Sequence, residues 1–278
     1  MSSAATRLLA LLGNPVSHSL SPAIHSAAIA AGNLDAVYVA LRCDARDAAA
    51  LLRGIARAGG GGNVTAPHKG VAAAALDRPH SGVARTGACN TFWSEGDQVH
   101  GDNTDVEGVC RAVADLLGGP PAGARVLLVG AGGAAAAALC ALLDAGASAV
   151  VVCNRNPSRV PGLIERVAPD DGRAHGLDAA ASLGGEAFDL VVNATPLGGN
   201  ADDSLPLSLD VVQAGAVLDL VYRRGETAWV RTARERDIPA ADGRGVLVAQ
   251  AEAAWRRWWG SAPPEGLMAA ALAASERG

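Results

Sequence analysis

The chain is poor in lysine: of its 23 Lys and Arg residues, Lys69 is the one lysine. Arginine stays charged at any workable pH, whereas a lysine can release a proton and take it back. Lys69 is therefore either a titratable amine with a task or a surface lysine without one. Cysteine is also scarce. Cys43, Cys89, Cys110, Cys140 and Cys153 make an odd number with no Cys-x-x-Cys spacing, which speaks against a disulfide framework or a thiolate metal site. Most lie in apolar stretches, where a free thiol behaves as a small hydrophobe, so a reduced, metal-free, cytoplasmic protein is expected. Long hydrophobic runs are missing too. The apolar stretches are Ala-rich and fall short of the roughly 20 residues of a membrane span. The opening Arg7-Leu8-Leu9-Ala10-Leu11-Leu12 is too short for a signal segment and runs into Gly13-Asn14-Pro15. A net charge of only −5 gives no electrostatic footprint for nucleic acid or an anionic membrane.

What is present is a chain of 278 residues, half of them apolar, enough for one large domain or two modest ones. Short apolar runs alternate with helical patterns, which predicts an α/β protein with parallel sheets. Strands are expected at Leu8–Leu12, Val37–Leu41, Asn63–Thr65, Arg125–Val129, Ala149–Cys153, Leu190–Asn193, Val217–Val221 and near Ile238. Ser21-Pro22 reads as a capped helix start with Gly32 as its stop. Asp44 is expected to cap a helix reaching about Ala58, and Pro67 to open the helix that carries Lys69. Further helices are predicted at Ala134–Asp144, Val246–Trp259 and Pro264–Ser275. Trp255, Trp258 and Trp259 are expected to be core residues rather than a subunit interface. No internal repeat is visible.

Gly130-x-Gly132-x-x-Ala135, between a predicted strand and a predicted helix, matches the dinucleotide fingerprint. Glycines permit a tight turn and close approach to a pyrophosphate, and the helix start favours the anion. The following strand ends in Cys153-Asn154-Arg155, with Arg159 one turn later and no acidic residue between. A carboxylate there would bind the ribose diol of NAD; two guanidiniums suit a 2′-phosphate instead. NADP is the cofactor expected, the alternative being a solvated arginine pair at a helix start.

Three polar segments fall where strands should give way to helices. Ser17-His18-Ser19-Leu20-Ser21-Pro22 gathers hydroxyls at a helix start, a place suited to a carboxylate or simply to capping. Asn63-Val64-Thr65-x-Pro67-x-Lys69 sets an amide, a hydroxyl and the lone lysine within seven residues. Gly101-Asp102-Asn103-Thr104-Asp105 adds carboxylates, with Asn90-Thr91 upstream. Each alone could be a polar loop; together they suit a polyhydroxylated acid.

These segments, in this order and spacing, resemble the shikimate dehydrogenase family: Gly13-Asn14-Pro15-x-x-His18-Ser19-x-Ser21-Pro22, Asn63-Val64-Thr65-x-Pro67-x-Lys69, Gly87-Ala88-x-Asn90-Thr91 and Asn103-Thr104-Asp105-x-x-Gly108. The likeness continues through Gly130-Ala131-Gly132-Gly133-Ala134, Asn154-Arg155, Asn193-Ala194-Thr195-Pro196, Asp219-Leu220-Val221-Tyr222 and Gln250, nearly the whole chain. It implies two α/β domains around a cleft: a substrate domain of residues 1–105 plus 246–278, and a Rossmann-type NADP-binding domain of residues 106–245. It implies reversible NADPH-dependent reduction of 3-dehydroshikimate to shikimate, with Lys69 and Asp105 as catalytic pair. Ser19 and Ser21 would hold the substrate carboxylate; Asn63, Thr65, Asn90, Asp105 and Gln250 its hydroxyls, with Tyr222 nearby. Gly130, Ala131, Gly132, Gly133, Ala134, Asn154, Arg155 and Arg159 would hold NADP, its nicotinamide against Leu220 and Gly243 near Thr195.

The chain departs from the family at Gly199 and Val246, where methionines are usual, at Arg224 in place of a proline, and in the Gly59–Gly62 run. Related readings are a quinate/shikimate or aminoshikimate dehydrogenase, a methylene-tetrahydrofolate dehydrogenase, which leaves Ser19, Ser21 and Gln250 unexplained, and a non-catalytic regulator, which leaves the Lys69–Asp105 pair unexplained. A monomer and a homodimer are both compatible with the sequence, and a Gly198–Ser204 loop is expected to cover the nicotinamide.

Overall fold

The computed structural model of the chain describes residues 3–177, 183–199 and 203–277. These form two compact units, Met1–Thr104 with Leu247–Gly278, and Asp105–Val246.

The first unit runs β1 (Arg7–Gly13), α1 (Ser21–Ala31), β2 (Ala36–Arg42), α2 (Ala45–Arg57), β3 (Gly61–Val64), α3 (Lys69–Ala74), β4 (Arg78–Pro79), α4 (Ser81–Thr86), β5 (Thr91–Glu95) and β6 (Gln98–Asp102). Its sheet has the order β2-β1-β3-β5-β6-β4. β1 runs parallel to both β2 and β3, while β5 is antiparallel to β3 and β6. The β5–β6 hairpin was not foreseen from the sequence; its two-residue turn holds Gly96 at φ 57°, a left-handed value that glycine adopts freely. The core on one face joins Ala10, Leu12, Leu52, Ala56, Val64, Phe92 and Val99.

The glycine run before Asn63 explains itself in this sheet. A Cβ on Gly60 would lie 2.3 Å from Leu8 O, on Gly61 2.8 Å from Phe92 O, and on Gly62 2.0 Å from Ala10 O. The backbones of β1 and β5 thus approach β3 too closely for any side chain there.

The second unit runs α5 (Asp105–Leu117), β7 (Arg125–Val129), α6 (Gly133–Asp144), β8 (Ala149–Cys153), α7 (Arg159–Val167), β9 (Ala174–Gly176), β10 (Glu186–Phe188), β11 (Leu190–Asn193), β12 (Val212–Ala214), β13 (Val217–Asp219), α8 (Ala228–Arg234) and β14 (Ala240–Ala241). Six strands form an all-parallel sheet in the order β14-β13-β11-β7-β8-β9. Numbered within the sheet this is 6-5-4-1-2-3, the doubly wound Rossmann order, whose strand sequence reverses between β7 and β11. β10 and β12 pair separately. α6 is buried along nearly its whole length because its Ala-rich sequence, Ala135 to Leu143, packs on all sides.

The chain ends in α9 (Arg244–Trp259) and α10 (Leu267–Arg277). α10 starts later than the sequence pattern suggested, since Pro263, Pro264 and Gly266 at φ 70° keep the backbone out of the helix until Leu267. Trp255 and Trp258 are buried. Trp258 Nε1 donates to Phe92 O at 3.2 Å, Arg7 Nη1 donates to Trp258 O at 2.9 Å, and the Arg7 guanidinium lies 4.6 Å from the Trp259 ring centre. These contacts fasten α9 to β1 and β5.

Three further helix starts differ from expectation, the first being α3, which begins at Lys69 with Pro67 in the turn before it. Ser21 is the first residue of α1, not its cap; its N–H donates to Ser19 Oγ at 3.3 Å, so the hydroxyl that serves the helix start comes two residues earlier. Asp44 stands at the cap of α2 in extended backbone but makes no side-chain capping bond; its carboxylate instead accepts from Asn14 Nδ2 at 3.4 Å. The middle of the Gly198–Ser204 loop lies outside the described residues.

Candidate active site

In the first unit, the polar segments gather at one end of the sheet, beyond the carboxyl ends of the parallel strands β1 and β3. Leu12 is in register with Val64, and Asn63 with Thr91, which faces Asp102 in turn. The loops after β1 and β3 are sewn together by Thr65 N donating to Leu12 O at 2.8 Å and Asn14 N donating to Ala66 O at 3.2 Å. Gly13 permits this approach: a Cβ there would lie 2.4 Å from Thr65 Cγ2. Both loops contain a cis proline bond, Asn14–Pro15 and Ala66–Pro67. Ser19, Thr65 and Lys69 are half-buried and Ser21 is buried. Lys69 is the first residue of α3, and its carbonyl accepts from Cys89 N at 2.9 Å, which ties it to the segment carrying Asn90.

Behind these lies a buried network of amides and hydroxyls. Asn90 Oδ1 accepts from Thr104 N at 2.7 Å and from the hydroxyls of Thr91 and Thr104 at 3.0 and 3.1 Å. Asn90 Nδ2 donates to Gln250 Oε1 at 3.5 Å, and Gln250 Nε2 to Leu247 O at 2.7 Å. Asn63 Nδ2 donates to Asn90 O at 3.1 Å and to Thr91 Oγ1 at 3.0 Å, while its Oδ1 accepts from Tyr38 at 2.8 Å. Asn63 therefore spends both amide hydrogens on the protein, which makes it first of all a support for Asn90 and Thr91. Asp102 anchors α9: Arg257 donates to its Oδ2 through Nε at 3.1 Å and Nη2 at 2.9 Å. Tyr38 was missed in the sequence. The available signal was a polar ring among aliphatic residues of a strand, in a chain with only two tyrosines.

In the second unit, β7 leads into Gly130, at φ 126°. That angle, and Ala194 O only 2.9 Å from where a Cβ would stand, require glycine. Gly132 and Gly133 have open space where their Cβ atoms would be. Gly132 caps the twelve-residue α6 with no side chain bonded to the first turn. Glycines with open space before them, main-chain N–H groups at a long helix start, and a position at the strand-order reversal together fit a pyrophosphate. Ala131 is buried and Ala134 exposed at the same turn.

Past β8, Asn154 Nδ2 donates to Asn156 O at 2.8 Å, and Asn156 Oδ1 accepts from Ser158 N and Oγ. Arg155 and Arg159 are exposed, and neither meets a carboxylate among the described residues. Two unneutralised guanidiniums without a nearby acid fit the 2′-phosphate of NADP. Cys153, beside them, is buried, which pushes its thiol up to about 11 and keeps it unreactive. Burial likewise pushes Cys89 up to about 12, and all five cysteines are free.

Across β11 and β13 a second network surrounds Asp219. The carboxylate is fully buried and accepts from Asn193 Nδ2 at 2.8 Å, Val221 N at 3.1 Å and Thr227 Oγ1 at 2.8 Å. Burial raises its pKa, outweighing these bonds. Asn193 Oδ1 accepts from the N–H and hydroxyl of Thr195 at 2.9 and 2.7 Å. Leu220 N donates to Asn193 O at 2.9 Å and Gly243 N to Val221 O at 3.0 Å. A Cβ on Gly243 would lie 2.3 Å from Leu220 O. Thr195, Leu220 and Gly243 are thus held against one another, with Tyr222 half-buried two residues beyond Leu220. Asp105 begins α5 of this unit, immediately after Thr104. No cluster of metal-ligating side chains is present and no helix could cross a membrane, among the described residues.

Known proteins match the chain along its length. Residues 11–92 match the shikimate dehydrogenase substrate binding domain and residues 113–197 match shikimate / quinate 5-dehydrogenase. The shikimate dehydrogenase (NADP(+)) of Rubrobacter xylanophilus is 43% identical over 96% of this chain and 95% of its own length. That of Geobacter sulfurreducens is 40% identical over 98% and 97%. The crystal structure of shikimate 5-dehydrogenase from Thermus thermophilus, in complex with NADP(H) and shikimate, superposes with a TM-score of 0.85 at 32% identity, covering 97% of this chain and 99% of the other. The chain belongs to the shikimate dehydrogenase family.

Proposed function

We propose that the two sites are the two halves of one NADP-dependent reaction, the reversible reduction of 3-dehydroshikimate to shikimate. The first unit would be the substrate domain and the second the NADP domain. The observation that carries this reading is convergence. Segments scattered from Ser19 to Gln250 meet at one end of the first sheet, and the glycine turn and its two arginines meet at one end of the second.

NADPH, when bound, supplies the hydride. The residues proposed to hold it are the 130–134 turn for the pyrophosphate, Asn154, Arg155 and Arg159 for the phosphorylated ribose, and Thr195, Leu220 and Gly243 for the nicotinamide. As the ketone is reduced, negative charge builds on its oxygen. Lys69 is assigned to stabilise that charge and to deliver the proton from its Nζ, and to accept one in the reverse direction. Asp105 is assigned as its partner. Ser19 and Ser21 would receive the substrate carboxylate at the start of α1. Thr65, Asn90 and Gln250 would contact its hydroxyls, with Tyr222 near, and Asn63 would contribute mainly by holding Asn90. Five free thiols, mostly buried, suit the reducing cytoplasm.

The test follows absorbance of the reduced nicotinamide while shikimate or quinate is offered with NADP or NAD. Strong turnover only with shikimate and NADP is expected. Equal turnover of quinate or preference for NAD would move the chain to a broader-specificity branch, and no turnover with any pair would end the reading. Lys69→Met should lower kcat by roughly a hundred-fold or more while NADPH still binds; an unchanged kcat would remove Lys69 from its role. Lys69→Arg, which keeps the charge but not the exchangeable proton, should be severely impaired as well.

A further inference from the structure

We propose that Tyr38 is a positioning residue of the substrate site, its hydroxyl closing a hydrogen-bond chain that fixes Asn63 and, through it, Asn90. The inference rests on the reading of Asn90 and Gln250 as substrate contacts and extends it to a residue outside the motifs.

The polarity of the chain is set by main-chain groups that cannot reverse their roles. Thr104 N–H can only donate, and it meets Asn90 at 2.7 Å. The oxygen of that amide must face Thr104, so its nitrogen faces Gln250 Oε1. The Gln250 amide is fixed in the same way, by Leu247 O. Asn90 O can only accept, and it meets Asn63 at 3.1 Å. The nitrogen of Asn63 must face Asn90 and Thr91, and its oxygen must face Tyr38. Tyr38 is then obliged to donate, across 2.8 Å.

No water substitutes easily for that donor, since Tyr38 is 5% exposed and Asn63 equally so. The tyrosine ring is itself held from behind. His25 stacks on it with centroids 4.5 Å apart and planes 20° apart, and Trp258 packs on His25 at 5.0 Å and on Tyr38 at 6.2 Å. Residues from β2, α1 and α9 thus set a hydroxyl whose single hydrogen holds the oxygen end of Asn63, the end that no main-chain group fixes.

Tyr38→Phe keeps the ring and its stacking and removes only the donor. Expected is a rise of about five- to ten-fold in KM for shikimate, with kcat within about twofold and KM for NADP unchanged. A purely structural role would lower the melting temperature without this split. In a cycle with Asn63→Ala, the double variant should be less impaired than the product of the two single effects, because both remove the same support. Thr91→Val, which cuts the chain one link later, should raise the same KM. An unchanged shikimate KM in folded, active Tyr38→Phe enzyme, or effects that multiply independently, would overturn the proposal alone. A wild-type enzyme inert towards shikimate would overturn the parent reading, and this one with it.

Discussion

The two units solve the same problem, holding polar groups rigid in a dry interior, with opposite chemistry. The network of the first unit, Tyr38–Asn63–Thr91–Asn90–Thr104–Gln250, contains no ionisable carboxylate or amine, and its directions are set by main-chain donors and acceptors. That of the second is built around one carboxylate, Asp219, which three donors surround. A neutral network costs little to bury and does not respond to pH. A charged one makes stronger bonds but has to offset the desolvation of its ion. The difference suits the work proposed for each. The first unit would have to present one pattern of donors and acceptors to the uncharged hydroxyls of a polyhydroxylated acid. The second has to clamp three loops, carrying Thr195, Leu220 and Gly243, at a single point.

Deleting one buried hydroxyl from each network tests the contrast most directly. Thr227 Oγ1 donates to Asp219 and also caps α8 by accepting from Val230 N. Thr227→Val should cost about 3 kcal/mol, the sum of a charge-assisted bond and a cap. Thr91→Val leaves every former partner at least one other bond and should cost roughly 1–2 kcal/mol. The Thr227→Val deficit should shrink in acid, where a protonated Asp219 no longer needs the donor, while that of Thr91→Val should stay flat. Urea unfolding of both variants from the ordinary carboxyl range up to pH 8 reads this. Equal losses, or a Thr227→Val loss independent of pH, would erase the distinction between the networks.

The same contrast decides what could be read from the sequence. In the second unit, strand–Gly-x-Gly–helix in the sequence located the glycine turn at the strand-order reversal, because such a turn is made of consecutive residues. In the first unit the polar segments were visible, but not the bonds that order them. The β5–β6 hairpin that brings Asn90 and Thr91 against Asn63 was overlooked, although Glu95-Gly96-Asp97-Gln98 carries a recognised hairpin turn. Tyr38 was hidden because Ala36-Val37-Tyr38-Val39-Ala40-Leu41 has no polar alternation, so the sequence says neither which face is buried nor what the ring meets. Ser21 was misread as a cap for a similar reason: a hydroxyl before a helix looks the same whether it or its neighbour receives the N–H. The Gly59–Gly62 run looked like a lapse from the family pattern; the left-handed backbone at Gly59 and the β1–β3–β5 spacing at Gly60, Gly61 and Gly62 explain it.

His25 marks where the neutral network is vulnerable. It is fully buried, both ring nitrogens lack hydrogen-bond partners among the described residues, and burial pushes its pKa down to about 3. The unfolded chain takes up a proton below about 6.5 that the folded chain refuses until about 3, so stability is lost as pH falls through that window. The loss attributable to His25 should reach about 2 kcal/mol by pH 5. His25→Phe keeps a ring against Tyr38, with an overpacking cost of the order of 1 kcal/mol, and removes the proton uptake. The stability curves of variant and wild type should therefore converge or cross between pH 7 and pH 5. Parallel curves would mean that this histidine is not the acid-sensitive point of the first unit.

The smallest expected effect is the one that isolates the charge itself. Asp219→Asn preserves the shape of the side chain. With its oxygen towards Asn193 and Val221 and its nitrogen donating to Thr227 Oγ1, all three contacts can be kept, and the loss of an acceptor for the Thr227 hydroxyl hydrogen is set against the relief of burying no ion. The net change at pH 7 should be under about 1 kcal/mol. The sign of its pH dependence is the opposite of that of His25. Burial raises the folded pKa of Asp219 above its unfolded value, so the wild-type carboxyl contributes a stability that falls as pH rises from the unfolded carboxyl range to the raised folded value. The asparagine variant should lack that slope, gaining on the wild type as pH increases through the window and running parallel to it above. Chemical denaturation at closely spaced pH values, with the difference taken between the two proteins, cancels the titration of every other group and leaves this one. A difference that does not vary with pH would show that Asp219 titrates alike in the folded and unfolded chain. The second network would then owe its rigidity to hydrogen-bond count alone, as the first does.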